Sequence, residues 1–220
     1  MSFESLGLAP FLLRALAEQG YENPTPIQQQ AIPLALAGRD LLAGAQTGTG
    51  KTAAFGLGLL QSIDPSLIRV QALVLCPTRE LADQVGKQIR KLATGIPNLK
   101  LLLLVGGVPL GPQLASLEGH DPHVVVGTPG RVQELARKRA LNLGAVRTLV
   151  LDEADRMFDL GFIKDIRFLL RRMPERTIRQ TLLFSATLSH RVLELAYEHM
   201  NEPQKLVVEA ETITAARVRQ

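Results

Sequence analysis

Six short apolar runs that do not alternate with polar residues constrain this chain more than any other feature. They are residues 40–45 (DLLAGA), 70–76 (VQALVLC), 99–105 (LKLLLLV), 123–127 (HVVVG), 147–153 (RTLVLDE) and 180–186 (QTLLFSA), with 205–209 (KLVVE) as a seventh candidate. A strand with one face in water alternates, so continuous apolarity implies a sheet covered on both faces. The segments between are long enough for crossover helices, and residues 52–63, 79–92, 130–138, 162–173 and 189–199 carry the clearest helical patterns. The expectation is an α/β fold with a doubly wound, mainly parallel sheet, right-handed crossovers and helices on both faces. With 220 residues and 46% hydrophobic composition, residues 1–208 read as one domain with a generous core. Residues 209–220 complete no element and read as the start of a linker.

Composition excludes several kinds of chemistry. Cys76 is the only cysteine, so neither an intrachain disulfide nor a thiolate metal cluster can form, and the four histidines lack ligand spacing. The first residues show no basic segment leading into an apolar core, and the longest apolar run is far short of the roughly 20 residues that span a membrane. The reading is a soluble, cytoplasmic protein without a membrane partner. A net charge of +4 permits a polyanionic partner without requiring one.

In such a sheet, ligands gather beyond the carboxyl ends of the strands. Ala45-Gln46-Thr47-Gly48-Thr49-Gly50-Lys51-Thr52 follows the first strand and opens a helix. Backbone amides of Gly48 to Lys51 can surround phosphates, and the glycines allow close approach. Lys51 is then placed for the β and γ phosphates and the Thr52 hydroxyl for Mg²⁺. A strict phosphate loop begins with glycine where this chain has Ala45; alanine suffices there if the backbone needs no positive φ. The competing reading is a glycine-rich turn with a solvated lysine. Asp152 and Glu153 end a second buried strand at the same edge, where Asp152 can hold Mg²⁺ through water and Glu153 can activate the attacking water. The alternative there is an acidic helix cap.

Asp152-Glu153-Ala154-Asp155 spells the signature of the DEAD-box ATP-dependent RNA helicases, and other segments resemble that family's motifs in order. They are GYENPTPIQ (20–28), AQTGTGKT (45–52), PTREL (77–81), Gly106-Gly107, TPGR (128–131) and SAT (185–187). The likeness covers nearly the whole chain and is greatest to bacterial, RhlE-like members. It implies a RecA-like first core domain binding ATP and Mg²⁺. Family motif I normally begins with alanine, as here. The Gln28 amide matches the donor and acceptor edge of adenine, and the resemblance places Tyr21 on the base with Phe3 behind it. Gln29 and Gln30 do not match and read as solvated helix positions. Pro77, Thr78, Arg79, Gly106, Gly107, Thr128, Pro129, Gly130 and Arg131 resemble RNA contacts, with arginines neutralising phosphates and little base preference. Thr78 and Thr128 also read as helix caps. Ser185 and Thr187 are expected to bond Asp155 and couple nucleotide state to the fold.

The family's second RecA-like domain carries H-R-x-G-R-x-x-R, a stretch not found in these 220 residues. The expectation is the first half of a longer helicase, active in RNA unwinding only when joined to that second domain, with slow ATP hydrolysis by itself. A DNA-directed superfamily 2 helicase and a non-catalytic nucleotide-dependent RNA clamp are the alternatives. Asp155 and Gln28 favour RNA, and the retained Lys51, Asp152 and Glu153 favour catalysis. GTPase and ABC transporter base-reading or signature motifs are absent from the sequence.

Overall fold

A computed structural model describes residues 1–208. The expected linker at 209–220 and the last residue of the expected seventh strand, Glu209, lie outside the described residues. Among them runs a seven-stranded, fully parallel sheet in the order β3-β4-β2-β5-β6-β1-β7. The strands are β1 (Leu41–Ala45), β2 (Ala72–Leu75), β3 (Leu101–Leu104), β4 (Val124–Gly127), β5 (Thr148–Leu151), β6 (Gln180–Ser185) and β7 (Gln204–Val208). Each of the first six expected runs contains one strand, trimmed at one or both ends, and β7 begins at Gln204, one residue ahead of the seventh. The trimming is physical: Asp152 and Glu153 already belong to the turn that leaves β5, and Val105 to the turn that leaves β3.

The five expected helices are α3 (Lys51–Ser62), α4 (Arg79–Leu92), α6 (Pro129–Arg137), α8 (Ile163–Leu170) and α9 (His190–His199). Four further helices were not evident in the pattern: α1 (Pro10–Glu18), α2 (Pro26–Leu36), α5 (Gly111–Gly119) and α7 (Ala154–Asp159), besides a 3-10 turn at Phe3–Leu6. Prolines near the starts of α1, α2 and α5 mimic loop signals, yet an N-terminal proline satisfies the first helical turn.

Successive strand residues enter opposite cores. Leu41, Ala43 and Ala45 pack with α1 to α4, whereas Leu42 joins the core beneath α6 to α9. In β5, Val150 faces the first core and Leu149 and Leu151 the second. Both faces are dry in β1, β2, β4, β5 and β6, which explains why those runs did not alternate, while the edge strand β7 is exposed, with Val207 at 63%. The insertion of β6 between β1 and β5 positions the site. The loop after β1 and the acids after β5 therefore flank the end of β6, at Ser185.

Candidate active site

The phosphate-loop geometry is built on glycine where the backbone demands it. β1 ends at Ala45 and α3 starts at Lys51, leaving Gln46 to Gly50 as the turn. Gly48 and Gly50 have φ of 88° and 84°, a left-handed conformation that L side chains resist. A Cβ on Gly50 would also lie 2.6 Å from Gln28 Nε2 and 2.9 Å from Thr25 Oγ1. Ala45 is a β-strand residue paired beside Val208, outside the positive-φ set. Alanine in place of the first glycine thus costs no backbone strain. Thr49 Oγ1 donates to the Gln46 carbonyl at 2.8 Å and closes the turn.

Lys51 and Asp152 meet across the end of β6. Lys51 Nζ donates to Asp152 Oδ1 at 2.6 Å and lies 3.8 Å from Glu153 Oε2. The Lys51 side chain is 6% exposed and that of Asp152 is 0%. Burial raises the Asp152 pKa above the ordinary carboxylate value, and the Lys51 charge and hydrogen bond oppose that rise. Asp152 Oδ2 is buried with no partner among the described residues. A buried acceptor without a donor is costly, and such atoms mark positions shaped for a ligand. Glu153 occupies the N-cap position of α7 at φ 52° and ψ 54°, and its side chain makes no capping bond. The cap reading of the acids therefore fails; Glu153 instead sits in a strained backbone conformation with its carboxylate 3.8 Å from Arg156.

Gln28 is tied to the same loop. Its Oε1 accepts from the Thr25 amide at 2.9 Å and its Nε2 donates to the Gly50 carbonyl at 3.1 Å. Thr25 and Gln28 form a capping box on α2, a pattern legible as T-x-x-Q before an apolar run. Tyr21 stacks edge-on against Phe3, with ring centroids 6.2 Å apart, and its hydroxyl accepts from Gln88 of α4 at 2.6 Å. Phe3 is buried. Gln30 is exposed as expected, but Gln29 is half-buried and donates to the Pro24 carbonyl at 3.0 Å, because it closes the loop entering α2.

Asp155, Ser185 and Thr187 form one network. The Asp155 amide donates to Ser185 Oγ at 3.2 Å, Ser185 Oγ donates to the Thr187 carbonyl at 2.6 Å, and Thr187 Oγ1 donates to Asp155 Oδ2 at 3.2 Å. Ser189 caps α9, its hydroxyl accepting from the Val192 amide at 3.4 Å. Thr52 begins α3 beside Lys51 and is half-buried. Burial pushes the Cys76 thiol pKa up, consistent with a packed side chain.

The expected strand-contacting residues gather on the neighbouring part of the same edge, with contrasting freedom. Arg79 is exposed and makes one long bond, NH1 to the Gly107 carbonyl at 3.4 Å. Thr78 caps α4 by accepting from the Leu81 amide at 3.2 Å. Thr128 makes no capping bond; its hydroxyl accepts from the Gly106 amide at 3.1 Å. Arg131 is held inside: NH1 donates to Gln113 Oε1 at 3.0 Å, NH2 to the Val108 carbonyl at 3.0 Å, and Nε lies 3.5 Å from Glu134. Pro77 is buried, Pro129 opens α6, and Gly130 faces the Phe162 ring. Gln113 and Gln88, which fasten these parts, carry no sequence signal, since a lone glutamine on a helix has no diagnostic spacing.

The DEAD/DEAH box helicase family model matches residues 25–196. The ATP-dependent RNA helicase RhlB of Xanthomonas campestris is 54% identical over all of this chain and 39% of its own length. The ATP-dependent RNA helicase DbpA of Escherichia coli is 50% identical over 92% of this chain and 44% of its own. These names do not single out the RhlE-like branch. The chain thus spans about two fifths of the curated relatives it matches. A crystal structure of a DEAD box protein from the hyperthermophile Methanococcus jannaschii superposes with a TM-score of 0.89 at 38% identity, covering 95% of this chain and 56% of that one. The match of motifs, fold and family model is one finding: the chain belongs to the DEAD/DEAH box helicase family.

Proposed function

We propose that this chain is the ATP-binding first core domain of a DEAD-box RNA helicase, working in the cytoplasm with a second RecA-like domain. The observation that carries the proposal is the buried Lys51–Asp152 pair at the mouth of a left-handed glycine turn, with Asp152 Oδ2 unpartnered. Buried carboxylate oxygens are ordinarily hydrogen-bonded. Here one oxygen is left over, beside a helix start whose amides attract phosphate.

In this reading Lys51 leaves Asp152 and moves to the β and γ phosphates when ATP enters. Asp152 Oδ2 and the Thr52 hydroxyl fit a hydrated Mg²⁺, with Asp152 acting through water. A Mg²⁺ held there would supply positive charge against the phosphate oxygens. Glu153 orients the attacking water and accepts its proton. The amides of Gln46 to Thr52 cradle phosphate, and Gln28, Tyr21 and Phe3 form the adenine end. Gln28 would exchange its bonds to Thr25 and Gly50 for the base edge, linking base recognition to loop shape.

Pro77, Thr78, Arg79, Gly106, Gly107 and Thr128 to Arg131 form the RNA face. Asp155, Ser185 and Thr187 couple nucleotide state to the rest of the fold through their mutual hydrogen bonds. Hydrolysis and local unwinding require arginines from the second domain, a contribution worth about 10³ to 10⁵ in rate in related enzymes. Titration of this chain with a fluorescent ATP analogue, with and without Mg²⁺, tests the ATP site. Binding that needs Mg²⁺ and Lys51 supports it, and binding indifferent to both sinks it. Turnover of ATP by the full-length protein with RNA or DNA strands tests the substrate. Equal stimulation by DNA would favour the DNA-directed alternative.

A further inference from the structure

The turn after β3 is fastened at four consecutive residues by side chains from three helices and their caps, α4, α5 and α6. The Val105 carbonyl accepts from Gln113 Nε2 of α5 at 3.1 Å, and the Gly106 amide donates to Thr128 Oγ1 ahead of α6 at 3.1 Å. The Gly107 carbonyl accepts from Arg79 of α4 at 3.4 Å, and the Val108 carbonyl from Arg131 of α6 at 3.0 Å. Gln113 and Arg131 also bond each other at 3.0 Å, so two of the four ties belong to one unit. Gln113 is 8% exposed and the Arg131 side chain 11%, so both sit under the turn. The Gly107 and Val108 amides, in contrast, have no acceptor among the described residues.

We propose that Gln113 and Arg131 are positioning residues, a strut that holds the Gly106–Val108 turn with its free amides outward to meet phosphate oxygens of an RNA strand. This rests on the RNA-face reading above and sharpens it. Arg131 acts by shape and Arg79 by charge. Both terminal guanidinium nitrogens of Arg131 hold protein acceptors and its Nε lies 3.5 Å from the Glu134 carboxylate, so swinging the head out to a phosphate would release the Val108 carbonyl and the Gln113 amide. A planar fork with several fixed donors can span Gln113 and Val108 together, whereas a lysine can satisfy only one of them at that geometry. Gln113 is needed in its amide form, since it accepts from Arg131 and donates to Val105 at once.

The test measures affinity of the full-length protein for a fluorescent oligouridine strand across a salt series, with a non-hydrolysable ATP analogue present. Gln113→Ala and Arg131→Lys are each expected to weaken RNA binding about tenfold, the scale of losing one charge-assisted hydrogen bond. The salt slope and binding of the fluorescent ATP analogue should stay unchanged, which a general loss of folding would not allow. Combining the two substitutions should cost little more than either, because they break one unit. Arg79→Gln should lower the slope by about 0.7, the value for one phosphate contact on a single strand. If Arg131→Lys binds as well as the unaltered protein, Arg131 works through charge and the strut is wrong. Normal RNA binding by Gln113→Ala, with Arg79→Gln behaving as expected, overturns the strut alone. If Arg79→Gln also leaves affinity and slope untouched, the RNA face itself is misassigned and both ideas fall.

Discussion

The nucleotide edge and the neighbouring strand face share one rim of the sheet but use charge in opposite ways. At the first, Lys51 and Asp152 are buried and paired at 2.6 Å, with one carboxylate oxygen unmatched. At the second, Arg79 is exposed, while the half-buried Arg131 is spent on the Val108 carbonyl and Gln113. Burial makes each charge strong but costly, so a dry site must hold a partner ready for exchange. An exposed site can wait unpaired because water screens it. The proposed ATP pocket is thus poised electrostatically and the proposed RNA face sterically.

The sharpest way to break this contrast is Glu153→Gln in the full-length protein. It keeps size and removes the base, so ATP turnover should fall by about 10² to 10⁴ while ATP and RNA binding persist. Unchanged turnover would remove Glu153 from the chemistry. Lys51→Met comes next. Leaving Asp152 buried without its cation should cost about 3–5 kcal/mol at neutral pH and abolish nucleotide binding. The pH dependence follows from burial. The folded pKa of Asp152 is raised above the ordinary value of 3.8, so the native chain holds that proton more tightly than the unfolded chain. That contribution is fully present below 3.8 and is lost as pH rises through the raised folded value. Without Lys51 the folded value climbs further, so urea midpoints of Lys51→Met should fall on raising pH over a higher range than in the parent. A pH profile parallel to the parent would show that Lys51 does not hold the Asp152 charge.

Gly50→Ala places a Cβ at positive φ against Gln28 and Thr25, and should cost about 1–3 kcal/mol with loss of nucleotide affinity. Normal nucleotide affinity would mean that the left-handed turn is dispensable. The smallest expected change is Thr78→Ala, which removes the α4 cap for about 1 kcal/mol. A thermal melt should register that loss while ATP binding stays unaltered. A large drop in ATP affinity would instead tie α4 to the nucleotide edge.

The strands and the motif positions were legible because burial on both faces and close approach to phosphate leave few residue choices. Continuous apolar runs, Gly48 and Gly50 before Lys51, and acids at the end of β5 are local signatures. Helices α2 and α5 were hidden by prolines and weak periodicity, though T-x-x-Q at Thr25 and Gln28 was a usable start signal. Arg131 was readable as a motif residue, but its three internal acceptors come from α5, the turn after β3 and Glu134. No spacing along the chain encodes that meeting. Gln88 under Tyr21 is hidden for the same reason, since the two lie 67 positions apart.

What the sequence determined by itself is the parallel α/β class, the glycine turn before Lys51 with acids at the end of β5, and membership of the helicase family through ordered motifs. These depend on residue type at short spacing. Tertiary structure alone decided that β6 lies between β1 and β5, that Asp152 keeps one oxygen unmatched, and that Arg131 turns inward. Each of those outcomes is set by which distant segments pack together, and burial then decides whether a charge is paired, stranded or free.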